Sequence, residues 1–310
     1  MATTQVASAT TEKAKPKAQR NQTVEALRVL SAFGIVVFHG GGEWAPLAYT
    51  GLIVFVALSP MIDANYNWER IRPTAALARS LLLPWAFWMA VYGVFAIVRH
   101  KPVLPPDAPI LGVLMGTSQH LWFLPFIFGV LVVQGSLKQR VPAQTVFVAS
   151  SLLAFATIAS AYLWRPLALT WPVPLPQWAH VAGAVFAGTA IGIAPRAGRL
   201  AYPCLILIGL GLAILILKPV SGMTLTYCLG LPLTAAAVFF GKRLWPDSLS
   251  IQPVADCMLG VYLVHIIILS LSGLILPRGS LLHAAVAFMT SLAIVYAARR
   301  LVPATRIVLG

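Results

Sequence analysis

Ten long apolar stretches, separated by short polar or proline-rich connections, run along the chain at about 24–42, 46–63, 77–98, 120–137, 144–163, 178–195, 200–218, 221–241, 255–274 and 280–302. Each is close to the roughly 20 residues that carry an α-helix across the hydrocarbon of a bilayer. The pattern predicts an all-α, polytopic integral membrane protein of about ten transmembrane helices. Composition sharpens the picture: the 310 residues are 59% hydrophobic and only 10% charged, with a mean hydropathy of +0.85, whereas a soluble domain carries about 25% charged residues.

Charge placement assigns the sides. With the N-terminus in the cytoplasm, the inner segments hold Lys13, Lys15, Lys17, Arg20, Arg70, Arg72, Arg79, Lys138, Arg140, Arg196, Arg199, Lys242, Arg243, Arg299, Arg300 and Arg306, while the outer ones hold only Arg99, Lys101, Arg165, Lys218 and Arg278. The positive-inside rule requires this asymmetry, and an even helix number then puts both termini in the cytoplasm. The net charge of +14 is thereby spread over helix ends that meet anionic lipid, and forms no stripe for nucleic acid. The expected layout is a flexible basic N-terminal tail over 1–22, with no cleavable signal peptide, one membrane domain over 23–303 and a short C-terminal tail over 304–310. No internal repeat of the transporter kind is visible.

Two connections are unusual. Residues 99–119 are proline-rich around a short apolar piece, Ala108 to Met115, and residues 164–177 hold four prolines, enough to exclude a helix there. Both fall outside in this topology, where a lid over a binding site is useful.

Polar residues inside the apolar stretches carry the candidate chemistry. Arg28 and His39 lie eleven positions apart in the first stretch, which is three helical turns with roughly 20° left over, so they share one face about 16 Å apart. Ionisable residues in a membrane span face the protein interior and mark functional paths. His120 opens HLWFLPF at the outer end of the fourth stretch, at the depth of His39, where two imidazoles can face one cavity. Tyr262 and His265 share a face of the ninth stretch. His100, His180 and His283 receive no role. Cys204, Cys228 and Cys257 are isolated, and are expected to be reduced and buried; no metal-ligand spacing occurs among them or the histidines.

These segments together resemble the membrane-bound acyltransferase family three, which modifies bacterial surface and exported polysaccharides. The resemblance runs in order from about residue 24 to 270: EALRVLSAFGIVVFH with Arg28 and His39; FVALS, where Ser59 precedes Pro60 in place of the family's Ser-Gly; LARSLLLPWAFW with Arg79, Pro84 and Trp88; HLWFL; and GVYLVH. Without an esterase-like extension, the chain corresponds to a membrane-only form.

The resemblance implies transfer of a short acyl group, acetyl above all, from cytoplasmic acyl-CoA to a hydroxyl of a glycan or its lipid-linked precursor in the bacterial cytoplasmic membrane. No tightly bound cofactor is expected; acyl-CoA, the glycan and membrane lipid are the partners. His39 is then the general base or a transient acyl carrier. Arg28, with Glu25 expected to pair with it at i−3, holds a phosphate or carbonyl of the donor, and Arg70, Arg72 and Arg79 gather the CoA phosphates. His120 orients the acceptor or polarises the thioester carbonyl, Trp122 stacks on a sugar face, and Tyr262 with His265 makes a supporting helix contact. The rival reading is a secondary transporter. Such proteins commonly use intramembrane carboxylates, whereas Glu25, Glu43, Asp63, Glu69 and Asp256 fall at helix ends and Glu12, Asp107 and Asp247 in the tail or loops.

Overall fold

The computed structural model of the protein describes residues 21–106, 109–241 and 249–310. Residues up to Arg20, which make up nearly all of the expected tail with Glu12, Lys13, Lys15 and Lys17, lie outside the described residues, as do Asp107, Ala108, Lys242, Arg243 and Asp247.

Among the described residues the structure is helical and contains no strand. Each of the ten apolar stretches contains a helix. In chain order the elements are α1 (Gln22–Gly40), the short α2 (Ala45–Ala48), α3 (Thr50–Tyr66), α4 (Thr74–Val98), the short α5 (Pro109–Met115), α6 (Phe123–Arg140), α7 (Ala143–Ala159), α8 (Ala161–Ala168), α9 (Leu175–Ile193), α10 (Ala201–Leu217), α11 (Thr224–Phe239), α12 (Gln252–Ala255), α13 (Met258–Ser272), α14 (Leu281–Leu301) and α15 (Arg306–Leu309). Among the described residues, six spans are long and apolar enough to cross a membrane: α1, α2 with α3, α4, α9, α10 and α14, and the bent α7–α8 pair makes a seventh if it counts as one. The others fall short for identifiable reasons. At 1.5 Å per residue, α11 and α13 reach only about 22–24 Å against a core of about 30 Å, and α6 ends in the polar run Gln134 to Arg140.

The proline-rich 164–177 connection departs from expectation. Its first part is helical: α8 continues through Trp164 and Pro166 to Ala168, turned by 73° from α7. Proline removes one amide hydrogen bond, but Trp164 N–H still reaches the Ser160 carbonyl at 3.3 Å and Leu169 N–H that of Arg165 at 3.2 Å, so the turn holds on both sides of the gap.

α3 is the central helix. Ile53, Val54, Val56, Ala57, Leu58 and Met61 are all buried and cover more than half of the helix circumference, a wider apolar stripe than a surface helix presents. Its backbone touches two neighbours directly. A Cβ on Gly188 or Gly192 of α9 would lie 2.2 Å from the Ala57 carbonyl oxygen or 2.5 Å from that of Met61, and a Cβ on Gly51 of α3 would lie 2.5 Å from the Ser31 carbonyl of α1. Small residues four apart permit this approach where no hydrophobic force drives helices together in lipid. α10, with a mean hydropathy of 2.6 and few buried residues, sits on the periphery.

Tertiary contacts sort the helix ends into two sets. Asn21 caps α1 by accepting from Thr23 N–H and donates through Nδ2 to Ala237 at the end of α11. Lys138 at the end of α6 and Arg196 after α9 both reach the end of α3, at Asp63 and Asn65, and Arg299 of α14 donates to the Asp256 carbonyl before α13. The Arg28 end of the bundle thus gathers the basic helix ends, and the His39 end lies opposite. The expected C-terminal tail is packed: Trp88 Nε1 donates to the Val308 carbonyl at 2.9 Å, and Leu309 is buried. All three cysteines are free, but only Cys257 is buried; Cys204 and Cys228, on α10 and α11, are half-buried.

Candidate functional site

His39 occupies the last turn of α1, which ends as Gly41 takes φ +78° and turns the chain aside. Its imidazole makes no hydrogen bond among the described residues and its exposed surface opens into a cavity of about 190 Å³, lined also by Tyr49, Gln119, His120, Trp122, Gln177 and Tyr262. Four helix ends meet here: α1 from one side, the start of α3, the turn before α6 and the start of α9.

Three imidazoles cluster here, of which His39 and His120 line the cavity and His265 is packed behind them. The His39 ring centroid lies 5.2 Å from that of His265 and 6.3 Å from that of His120, and the His120 and His265 centroids are 5.2 Å apart. Tyr262 lies 5.3 Å from His120, and its hydroxyl donates to the His120 carbonyl. α6 begins at Phe123, three residues later than the sequence pattern suggested, so His120 and Trp122 belong to the preceding turn.

Hydrogen bonding fixes the tautomers unequally. His265 Nδ1 faces the Tyr262 carbonyl at 2.6 Å and must carry the proton to donate there, which leaves Nε2 as a buried acceptor without a partner. His120 Nδ1 faces Ser118 Oγ at 3.0 Å. A hydroxyl can donate or accept, so His120 Nε2, also buried and unpartnered, is free to present either a proton or a lone pair.

The remaining candidates lie elsewhere. Arg28 Nη1 pairs with Glu25 Oε2 at 2.6 Å at the opposite end of α1. The cavity lining reaches inward only to Ile35, and Ser31 and Ala32 between it and Arg28 are buried in packing; in this conformation the cavity does not extend to Arg28. Arg70 and Arg79 are exposed, without an ion pair among the described residues, and Arg72 lies 3.8 Å from Asp63. Trp122 is buried, edge-on to Phe126, where an interfacial tryptophan would be exposed.

Several residues at this site escape a reading of the sequence. Tyr49 stacks on Phe38 and on His180, with centroids 4.3 and 5.3 Å away. His180 is buried with neither ring nitrogen partnered, and Tyr92 stands 5.0 Å from His120 while its hydroxyl donates to the Leu263 carbonyl. Their common signal is a polar aromatic or imidazole near the outer end of its stretch. A buried ion pair was missed at the other end: Lys138, counted above as a cytoplasmic-segment charge, has a side chain 1% exposed and donates to Asp63 Oδ2 at 2.5 Å. Among the described residues no three His, Cys, Asp or Glu are placed to hold a metal ion.

Comparison of the chain with protein-family models, curated proteins and solved structures finds no match in any of the three.

Proposed function

We propose that the protein is a membrane O-acyltransferase of the bacterial cytoplasmic membrane, with ten spans and both termini cytoplasmic, that moves a short acyl group, acetyl first, from acyl-CoA to a hydroxyl of a surface or exported glycan or its lipid-linked precursor. The observation that carries this reading is the unbonded imidazole of His39, open to a small cavity that His120 also lines, with His265 packed against both rings.

A sugar hydroxyl is a weak nucleophile at neutral pH and needs a base. His39 takes its proton as the hydroxyl oxygen forms a bond to the thioester carbonyl carbon. His120, with its proton on Nε2, donates to the carbonyl oxygen as negative charge develops there. Collapse breaks the carbon–sulfur bond, and the proton held by His39 passes to the leaving thiolate, giving the ester and free CoA. The alternative order, in which His39 first accepts the acyl group and then delivers it, uses the same residues and leaves a trappable acyl-imidazole when acceptor is withheld. Arg28, Arg70, Arg72 and Arg79 hold the donor phosphates at the cytoplasmic mouth, and the acyl arm reaches His39 once the packed layer around Ser31 and Ala32 opens.

The test is incubation of purified protein in liposomes with acetyl-labelled acetyl-CoA and a saccharide extract of the native membrane, reading label in the saccharide and release of free thiol. Wild-type protein labels the saccharide, and His39→Ala and His39→Gln do not. A folded His39→Ala protein with the normal rate removes His39 from the mechanism; saccharide moved across the liposome without label favours the transporter.

A further inference from the structure

A second hollow lies beside the histidine cavity. It is a groove of about 630 Å³ between residues 102–106, the turn at 115–119 and residues 170–173, so its walls are the two proline-rich connections. Gln119 lines both spaces and is exposed where they meet.

The two compartments suit different parts of one ligand. The inner cavity has room for roughly six waters at about 30 Å³ each, the bulk of one small ring. The groove falls within the roughly 300–1,000 Å³ of sites that enclose whole small molecules. Its lining excludes the donor: no Lys, Arg or His is among its residues, and a CoA phosphate would find no cation there. It offers flat apolar faces, with Trp171 40% exposed among prolines, and the neutral hydrogen-bonding groups of Thr117, Ser118, Gln119 and Thr170. An uncharged ligand with alternating apolar ring faces and hydroxyls matches that mixture.

Ser118 connects the compartments chemically. It lines the groove, and its hydroxyl bonds the Nδ1 of His120, a residue that lines the inner cavity. Contact made in the groove therefore bears on the residue that sets the tautomer of His120.

We propose that this groove binds the non-reacting units of a saccharide acceptor at least two sugars long, and that Ser118 is the positioning residue through which an occupied groove fixes His120 for the unit in the inner cavity. The proposal rests on the acyl-transfer reading. Binding energy from remote parts of a substrate is then spent at the reacting centre.

The experiment uses the full chain in liposomes with labelled acetyl-CoA and the native membrane's saccharide extract, the products being released and sized. Label is expected on chains of two or more units and not on single sugars. Trp171→Ala raises the KM for the saccharide about tenfold with the KM for acetyl-CoA unchanged, and Trp171→Phe restores it; Gln119→Ala, at an exposed position, gives a second variant should Trp171→Ala fail to fold. Ser118→Ala lowers kcat without moving the saccharide KM, and Ser118→Thr recovers it. Single sugars labelled as fast as longer chains, or folded Trp171→Ala and Gln119→Ala proteins with unmoved saccharide KM, overturn the groove assignment while leaving acyl transfer intact; a folded Ser118→Ala protein with wild-type kcat overturns the positioning role of Ser118. No label in any saccharide, with folded protein, overturns acyl transfer itself and the groove assignment with it.

Discussion

Replacing Gly51 by alanine adds one methyl group directly beneath the histidine cavity, where α3 and α1 touch backbone to backbone. The added Cβ would lie 2.5 Å from the Ser31 carbonyl oxygen and 3.3 Å from the Ile35 nitrogen. Ordinary contact begins near 3.4 Å, and because the obstacle is main chain no side chain can swing aside, so α1 must move from α3 by about 1 Å. Overpacking of this kind costs about 1–3 kcal/mol, offset by up to about 1 kcal/mol because alanine is less flexible than glycine in the unfolded chain. The protein therefore folds, with a modestly lower melting temperature. Activity suffers far more, since Ile35, Phe38 and His39 line the cavity from α1 while Tyr49 and Leu52 line it from beside Gly51. A displacement of about 1 Å at a reacting centre is worth on the order of 100-fold in rate. The assay is acetyl transfer at saturating donor, with thermal unfolding in detergent as the control. A variant that melts near the wild-type temperature and transfers at the wild-type rate refutes the view that this helix contact sets the geometry of His39.

Lys138→Met leaves Asp63 buried with only the half-exposed Arg72 nearby, and should cost about 3 kcal/mol of stability; the double variant Asp63→Leu with Lys138→Met recovers most of that loss, as a melting cycle in detergent will show. Gly188→Ala, which drives a Cβ into the Ala57 backbone, should lower folded yield sharply, whereas Gly209→Ala on the peripheral α10, with nothing within 4 Å, is neutral or stabilising by up to about 1 kcal/mol. Tyr92→Phe removes the side-chain donor that the Leu263 carbonyl accepts in addition to its intrahelical amide, and should cost about 1 kcal/mol by thermal melting, with a larger relative loss of transfer because Leu263 sits on α13 two residues before His265; equal losses in both would make Tyr92 purely structural.

Much of the helical layout was legible because hydrocarbon imposes a length and a polarity on whatever spans it, and an unbroken apolar run reports both. The same reasoning placed His39 and His120 at one depth and paired Glu25 with Arg28, a contact three residues apart on one helix. Where the reading failed, the deciding partner lay far away in the chain. Residue 138 reads as one more basic helix end until Asp63 is brought beside it from α3, and four prolines read as a break until the bend at Ser160 shows a short helix resuming beyond it. Tyr49 and His180 signal themselves only by lying near the outer ends of their stretches, and Gln177 not even by residue type, so the sequence could not tell which such residues meet at one cavity.

From its residues alone the chain determines its solvent, the sites of its long helices and the depth at which each polar group is carried, because these follow from local composition and from the fixed rise of an α-helix. Tertiary structure alone decided that α13 brings His265 to within 5.2 Å of His39 and that glycines let α1, α3 and α9 meet backbone to backbone. In lipid every apolar face is equally well solvated, so which faces meet depends on shape and on polar partners distant in sequence, and hydropathy cannot rank them.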